Sequence, residues 1–288
     1  QCLWRKERIF SPFRSTPSII KEITTGWIIV SRSQSQAGTT LKDTAVFHVS
    51  GGEPSRVGND EMKTEDVSTN SAVCALIREE LTADVGDGDV TTEALVPREA
   101  SITASVIARE RCVISGTHVA ARTFLELDES LRHQISAHDG EEAEAGQVVF
   151  TVSGRARSIL TGERTALNFL QRMSGIASLT RAFVQKVKPY GTQILDTRKT
   201  TPGMRVLEKY AVRCGGGVNH RAGLFDRFLI KDNHRRLWSA GKGSLALGEA
   251  VKKAGESNPF LAVEIEVETE EELTSALEAK PDWVLLDN

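Results

Sequence analysis

Residues 198–236 carry ten lysines and arginines against three acids, whereas residues 261–288 carry nine acids against one lysine. One stretch suits anions and the other a cation. Arg198, Lys199 and Lys231 each adjoin a short apolar run, where a charge is costly unless it is paired or used. Arg205, Lys209 and Arg213 recur at helical spacing instead and are expected to form a solvated helix face. Glu264 and Glu266 alternate within an apolar run, so both face one side of a strand, and Asp287 ends the next apolar run. An inward carboxylate pair with a further oxygen donor can serve a divalent cation. Glu268, Glu270, Glu271 and Glu272 are expected in the exposed first turn of a helix, where negative charge is favoured.

Gly215, Gly216 and Gly217 precede Asn219, His220 and Arg221. Three glycines can let backbone amides approach a phosphate, and they can equally form the turn that ends a helix. His220 alone suits a structural role; beside Arg221 it suits an anion contact. Neither GxxxxGK[ST] nor GxGxxG occurs, which removes the common nucleotide-binding loops.

These groups need elements to position them. Residues 193–196, 228–231, 261–267 and 283–287 read as short apolar strands, with helical patterns at 204–213, 244–254 and 270–279 between them. Repeated βα order places functional groups beyond the carboxyl ends of parallel strands, in an open sheet or a barrel. Upstream, a capped amphipathic helix is expected from Asn70 or Ser71. Strand patterns at 101–109 and 146–152 flank a helical pattern at 116–127, which predicts a small α+β domain. A long helical stretch at 158–188, changing character at Ser174 and Gly175, is expected to link the two.

Thirty-six basic residues against 39 acids, a net charge of −3, give no general attraction to nucleic acid or to an anionic membrane, and neither partner is expected. Aromatic interleaving of the basic stretch is sparse, which also argues against nucleic acid. No apolar run is long enough to span a bilayer. Cys2, Cys74, Cys112 and Cys214 lie far apart without a CxxC pair, so reduced thiols in a cytoplasmic protein are expected. Residues 1–61 contain no methionine and no sustained period; they read as an unstructured leader outside the natural coding sequence, with a natural start at Met62. The domains expected are therefore 62–175, α+β, and 176–288, α/β.

The stretch LDTRKTTPGMRVLEKYAVRCGGGVNHRAGLFDRFLIKDNH, residues 195–234, closely resembles quinolinate phosphoribosyltransferases. GERTALNFLQRMSGIASLT upstream and VEIEVET and WVLLDN downstream support the resemblance, which runs from about residue 72 to 288. It implies an N-terminal α+β domain followed by an α/β barrel of the type II phosphoribosyltransferase kind. Family members continue past LLDN into an SGG-type loop and a final strand, so the barrel is expected to be incomplete here. The implied activity transfers phosphoribosyl from phosphoribosyl pyrophosphate to quinolinate with decarboxylation, giving nicotinate mononucleotide for NAD biosynthesis, with Mg2+ as cofactor. It also implies a homodimer, or a higher oligomer of dimers, in which sites borrow groups from the partner. Carried over by motif, Thr197, Arg198 and Lys199 of TRKT, His220 and Arg221 of NHR, and Lys231 of LIKDNH bind the substrates. Arg164 of GERTALN is supplied across the dimer, and Glu266 and Asp287 meet the ribose hydroxyls and magnesium. Lys199, Lys231, Glu266 and Asp287 carry the implied catalytic roles. A phosphoribosyltransferase of the same fold with another substrate, and a non-catalytic anion-binding subunit, are the alternatives.

Overall fold

The computed structural model describes residues 28–30, 45–48, 66–238 and 246–287. These form two compact units, one built on residues 63–182 and 200–217, the other on 183–199 and 218–288 with two strands from upstream. Those strands, β1 (Ile28–Val30) and β2 (Ala45–His48), lie inside the stretch expected to be an unstructured leader. A strand of three or four residues is too short to show a period, which is why none was legible there. The rest of residues 1–61 lies outside the described residues.

In the first unit, the Asn70 side chain accepts the Ala72 N–H at 3.0 Å and starts α1 (Ser71–Val85), as expected. Val73, Ile77 and Leu81, four apart, form its buried stripe, and Gly86, at φ 55°, ends it. Asp89 caps the short α2 (Val90–Leu95). The strands β3 (Ser101–Ile107), β5 (Arg132–Ile135) and β7 (Val148–Arg155) form an antiparallel sheet in the order β3-β7-β5. The strands β4 (Cys112–Val113) and β6 (Glu142–Ala143) form a separate antiparallel pair in the same unit. Phe124, on α3 (Thr117–Leu127), stacks on Phe150 of β7 with centroids 6.0 Å apart, in a core that includes Ile159 and Leu170.

Helix α4 (Ala156–Val187) runs without interruption through Ser174 and Gly175. The Ser174 hydroxyl accepts the Ser115 N–H at 3.0 Å and donates to the Ser115 carbonyl at 3.2 Å, so the polar residue that looked like a break is a tie to the neighbouring loop. Between the units of sequence, β8 (Gln193–Leu195) follows α4, and α5 (Arg205–Cys214) returns to the first unit. It buries Leu207, Tyr210, Ala211 and Cys214 in a core with Val73, Ile77, Phe169 and Met173. In this packing residues 200–217 cluster with the α+β elements. Lys209, expected on a solvated face with Arg205 and Arg213, is buried, because α5 is covered over most of its circumference.

The second unit contains β8, β9 (Phe228–Ile230), α6 (Asp232–Trp238), α7 (Ala246–Ser257), β10 (Val263–Val267), α8 (Glu270–Glu278) and β11 (Trp283–Leu286). Its sheet has the order β8-β1-β2-β11-β10-β9. The strands β9, β10 and β11 are parallel, the α/β arrangement expected from the βα order. The strands β1 and β2, parallel to each other, join β8 and β11 by antiparallel pairing. Ile230, Val251, Ile265, Ala276 and Val284 form the core between sheet and helices. The Val218 N–H bonds the Ile194 carbonyl at 2.8 Å, which sets the NHR segment beside the end of β8. Among the described residues, no helix is long and apolar enough to cross a membrane.

Candidate active site

Strand β10 is buried along its whole length, yet two of its five residues are glutamates. Alternation sends Glu264 and Glu266 to one face, and each meets cations there. Glu264 Oε2 lies 2.6 Å from His220 Nε2 and 3.3 Å from Arg227 Nη1. Glu266 Oε2 accepts from Lys231 Nζ at 2.6 Å. Lys231 follows the last residue of β9, so parallel pairing of β9 with β10 is what brings the two together.

The NHR segment is held from the backbone. Asp196, immediately after β8, accepts the His220 N–H at 2.8 Å through Oδ1, and the Asp196 N–H bonds the Val218 carbonyl at 3.2 Å. This pairing gathers the TRKT and NHR segments at one end of the sheet. Burial, and next the Arg198 guanidinium, hold the Arg221 side chain below its ordinary pKa, with Glu264 and Asp226 opposing and Arg227 adding to the repulsion. Two guanidinium groups close enough to repel, both partly withdrawn from water, make this rim a candidate anion site. Arg198 Nε is also buried with no hydrogen-bond partner among the described residues.

The other expected residues are placed as follows. Thr197 Oγ1 accepts the Lys199 N–H at 3.1 Å, shaping the turn that leaves Lys199 exposed. Asp287, half-buried, donates its N–H to the Val267 carbonyl at 2.9 Å, continuing the β10–β11 ladder past Glu266. Arg164 is exposed on α4, in the first unit. Beside it, burial pushes the Glu163 carboxyl up, with Arg164 opposing.

Among the described residues, no three His, Cys, Asp or Glu side chains gather as a metal-binding group. Glu266, already paired with Lys231, and Asp287 are two carboxylates at adjacent strand ends. That donor set suits a magnesium ion that keeps its waters and substrate oxygens, and does not suit a cage made by the protein alone.

The amides of the glycine run are engaged with carbonyls of α5. The Gly217 N–H bonds the Val212 carbonyl at 3.0 Å and Gly216, at φ 88°, bonds the Arg213 carbonyl at 2.8 Å, which closes the end of α5. A Cβ on Gly215 would lie 2.5 Å from the Ala177 carbonyl oxygen and 2.5 Å from Thr180 Cβ, so close approach of α4 requires glycine.

Three contributors were not legible from residue spacing. Arg227 packs its guanidinium 4.9 Å from the centroid of the Trp283 ring while reaching Glu264. Asp196 ends the apolar run 193–196, and its backbone-holding role needs the fold. Arg235, on α6, pairs with Glu272 at 2.5 Å and with Glu268 at 3.5 Å, so those two acids are more than the solvated first turn expected of them. Their one signal is an arginine and acids flanking successive strands.

Two grooves open elsewhere. One of about 320 Å³ in the first unit is lined by Ser101, Ser130 and Arg132. The other, of about 660 Å³, lies in the second unit beside Lys252, Glu278, Lys280 and Asp282, all exposed. Neither contains any expected site residue, and desolvated charge marks the rim at Glu264 and Arg221 as the stronger candidate.

Comparison with known proteins identifies the family of the chain. Residues 89–174 match the N-terminal domain, and residues 176–288 the C-terminal domain, of the family described as quinolinate phosphoribosyl transferase. A probable nicotinate-nucleotide pyrophosphorylase (carboxylating) of Synechocystis sp. is 43% identical over 209 residues, covering 72% of this chain and 68% of the relative. The nicotinate-nucleotide pyrophosphorylase (carboxylating) of Mycobacterium leprae is 44% identical over 218 residues, 74% of each. Among solved structures, the nicotinate-nucleotide pyrophosphorylase from Francisella tularensis matches with a TM-score of 0.67 at 40% identity, covering 73% of this chain and 72% of that one.

Proposed function

The chain belongs to the quinolinate phosphoribosyltransferase family, and from that premise we propose that the charged rim of its α/β unit is where quinolinate and phosphoribosyl pyrophosphate react. The reaction transfers phosphoribosyl to quinolinate with loss of carbon dioxide, yielding nicotinate mononucleotide and pyrophosphate for NAD biosynthesis. The observation that carries the site assignment is the Arg198–Arg221 pair, held partly out of water in mutual repulsion.

Quinolinate is a dianion, and two fixed guanidinium groups can hold both carboxylates in one orientation. His220 and Lys231 add donors on the same rim, and Thr197 and Lys199 extend it on the TRKT turn. The ring nitrogen attacks the ribosyl carbon as the bond to pyrophosphate breaks, and pyrophosphate leaves with that electron pair. Lys199 and Lys231 stabilise the charge that develops on the phosphates. Glu266 and Asp287 are the carboxylates proposed to meet the ribose hydroxyls and magnesium, which neutralises the pyrophosphate when bound. The positively charged ring then takes up the electrons of the adjacent carbon–carboxylate bond, carbon dioxide departs, and a proton from solvent fills the vacated position.

Arg164 is proposed to act on the partner's site in a homodimer. Its exposure on α4 supports that reading. The free thiols of Cys74, Cys112 and Cys214 favour a cytoplasmic setting, and burial pushes the Cys214 thiol up to about 11.

The test is calorimetry with quinolinate and nicotinate side by side, followed by assay of nicotinate mononucleotide with phosphoribosyl pyrophosphate and magnesium. Quinolinate is expected to bind and turn over, and nicotinate to do neither measurably. Equal affinity for the two acids would overturn the dicarboxylate assignment.

A further inference from the structure

Glu264 has no substrate-contacting role in the reaction as set out above, yet it lies at the centre of the cationic rim. Its side chain is fully buried. One oxygen, Oε2, meets both His220 Nε2 and Arg227 Nη1; the other, Oε1, is buried without a hydrogen-bond partner among the described residues. A carboxylate this enclosed is costly to keep unless its charge is matched, and the charges that match it come from the rim. If Glu264 carries its charge, as the adjacent Arg227 favours, it can only accept, and the 2.6 Å contact then requires the proton on His220 Nε2. The His220 backbone is fixed separately by Asp196 Oδ1 at 2.8 Å, so main chain and ring are held from two places, the residue after β8 and strand β10.

We infer that Glu264 is a positioning residue for the dicarboxylate subsite: it sets the proton and plane of the His220 ring and anchors Arg227, and thereby fixes the rim that receives quinolinate. This rests on the function proposed above. Glu264 touches neither substrate nor reacting atoms and acts through His220 and Arg227. Its negative charge also lets Arg198, Arg221 and Arg227 share one rim before any anion arrives, in keeping with its opposition to the Arg221 shift.

The test compares Glu264→Gln and Glu264→Leu with the unsubstituted chain. The glutamine retains a carbonyl acceptor for the imidazole N–H, whereas the leucine retains volume alone. Glu264→Leu is expected to raise the KM for quinolinate by about tenfold to a hundredfold, the range for losing a hydrogen bond to a charged group. The KM for phosphoribosyl pyrophosphate should stay near that of the unsubstituted chain, and Glu264→Gln should recover most of the loss. A merely structural residue would lower the amount of folded protein and leave the two KM values together.

Nitrogen-15 spectra of histidine-labelled chain, with His220→Gln to identify the resonance, supply a readout without substrate. The His220 Nε2 proton should be present in the unsubstituted chain and in Glu264→Gln. Equal quinolinate KM in all three proteins, or a His220 ring protonated at Nδ1 alone in the unsubstituted chain, would overturn the inference and leave the proposed function standing. If Glu264→Leu does not fold, Glu264→Gln and the spectra decide. An unsubstituted chain that binds no quinolinate would overturn the function itself, and this inference with it.

Discussion

Asp139 in the α+β unit and Glu264 in the α/β unit are both carboxylates withdrawn from water, and they are provided for in opposite ways. Asp139 accepts four hydrogen bonds: from the Gly116 and Thr117 N–H groups at 2.8 and 3.0 Å, the Thr117 hydroxyl at 2.7 Å and the Tyr210 hydroxyl at 2.8 Å. Both its oxygens are used, it caps α3 from a distant loop, and it ties α5 to the same point. Glu264 is more deeply buried and uses one oxygen, against side chains that are themselves crowded by like charge. A saturated carboxylate stabilises a fold. An unsaturated one among repelling cations fits the ligand-receiving rim proposed above.

The contrast is broken most directly at Asp139. Asp139→Ala should lower the free energy of unfolding by about 2–4 kcal/mol, the sum of a lost helix cap and a lost tyrosine partner. Urea unfolding checks this, and calorimetry should find the folded protein binding quinolinate as before. A variant with unaltered midpoint would mean that the four bonds are replaceable by water.

Arg198→Ala and Arg221→Ala should show the reverse. Each removes a charge-assisted contact, so quinolinate affinity should fall by about 1.5–3 kcal/mol. Thermal stability of the ligand-free chain should hold or rise slightly, because a repulsion is relieved. Undiminished affinity in both variants would detach these residues from the site.

Gly215→Ala sharpens the same division. Its Cβ would meet α4 backbone at 2.5 Å, and overpacking of this kind costs about 1–3 kcal/mol. Lowered stability with unaltered quinolinate affinity is expected. Loss of affinity alone would return the glycine run to the phosphate-binding role considered from the sequence.

The smallest effect is confined to acid. The Arg155 guanidinium, aided by the Ser130 and Ser158 hydroxyls and opposed by burial, holds the Asp128 carboxyl well below the usual carboxylate range. A depressed carboxylate contributes stability that is fully present above its unfolded value, about 3.9, and is lost as the pH falls through the folded one. Melting temperatures measured downward from about pH 4 should therefore fall less steeply in Asp128→Asn than in the unsubstituted chain. Parallel curves would remove Asp128 from the acid response.

Part of the candidate site was legible in the sequence because several of its residues lie in or just beyond short apolar strands. The alternation of Glu264 and Glu266, and the position of Lys231 after an apolar run, need only the pleat and the parallel-strand rule. Asn70 was legible as a cap for a similarly local reason. What escaped notice depended on partners distant in the chain. Helix α6, Asp232–Trp238, buries no residue completely and so has no apolar stripe to reveal it; Arg235 secures it through acids more than thirty residues away. Lys209 looked solvated because its neighbours at helical spacing are arginines, while its environment is set by elements from residue 67 onward. Ser174 and Gly175 read as a change of character because neither favours a helix interior, and the partner of Ser174, Ser115, is distant in the chain. Glu264 was legible as a strand carboxylate but not as the partner of His220, since 44 residues separate them.

The contact of Arg227 with Trp283 gives the rim an optical property. An indole with a guanidinium over its face emits in a field set by that cation, and the same cation is tied to Glu264, hence to His220. Any anion that draws Arg227 aside changes the field across the ring, so occupancy of the rim can be followed through tryptophan emission without a label. Trp283→Phe identifies which part of the light belongs to the site.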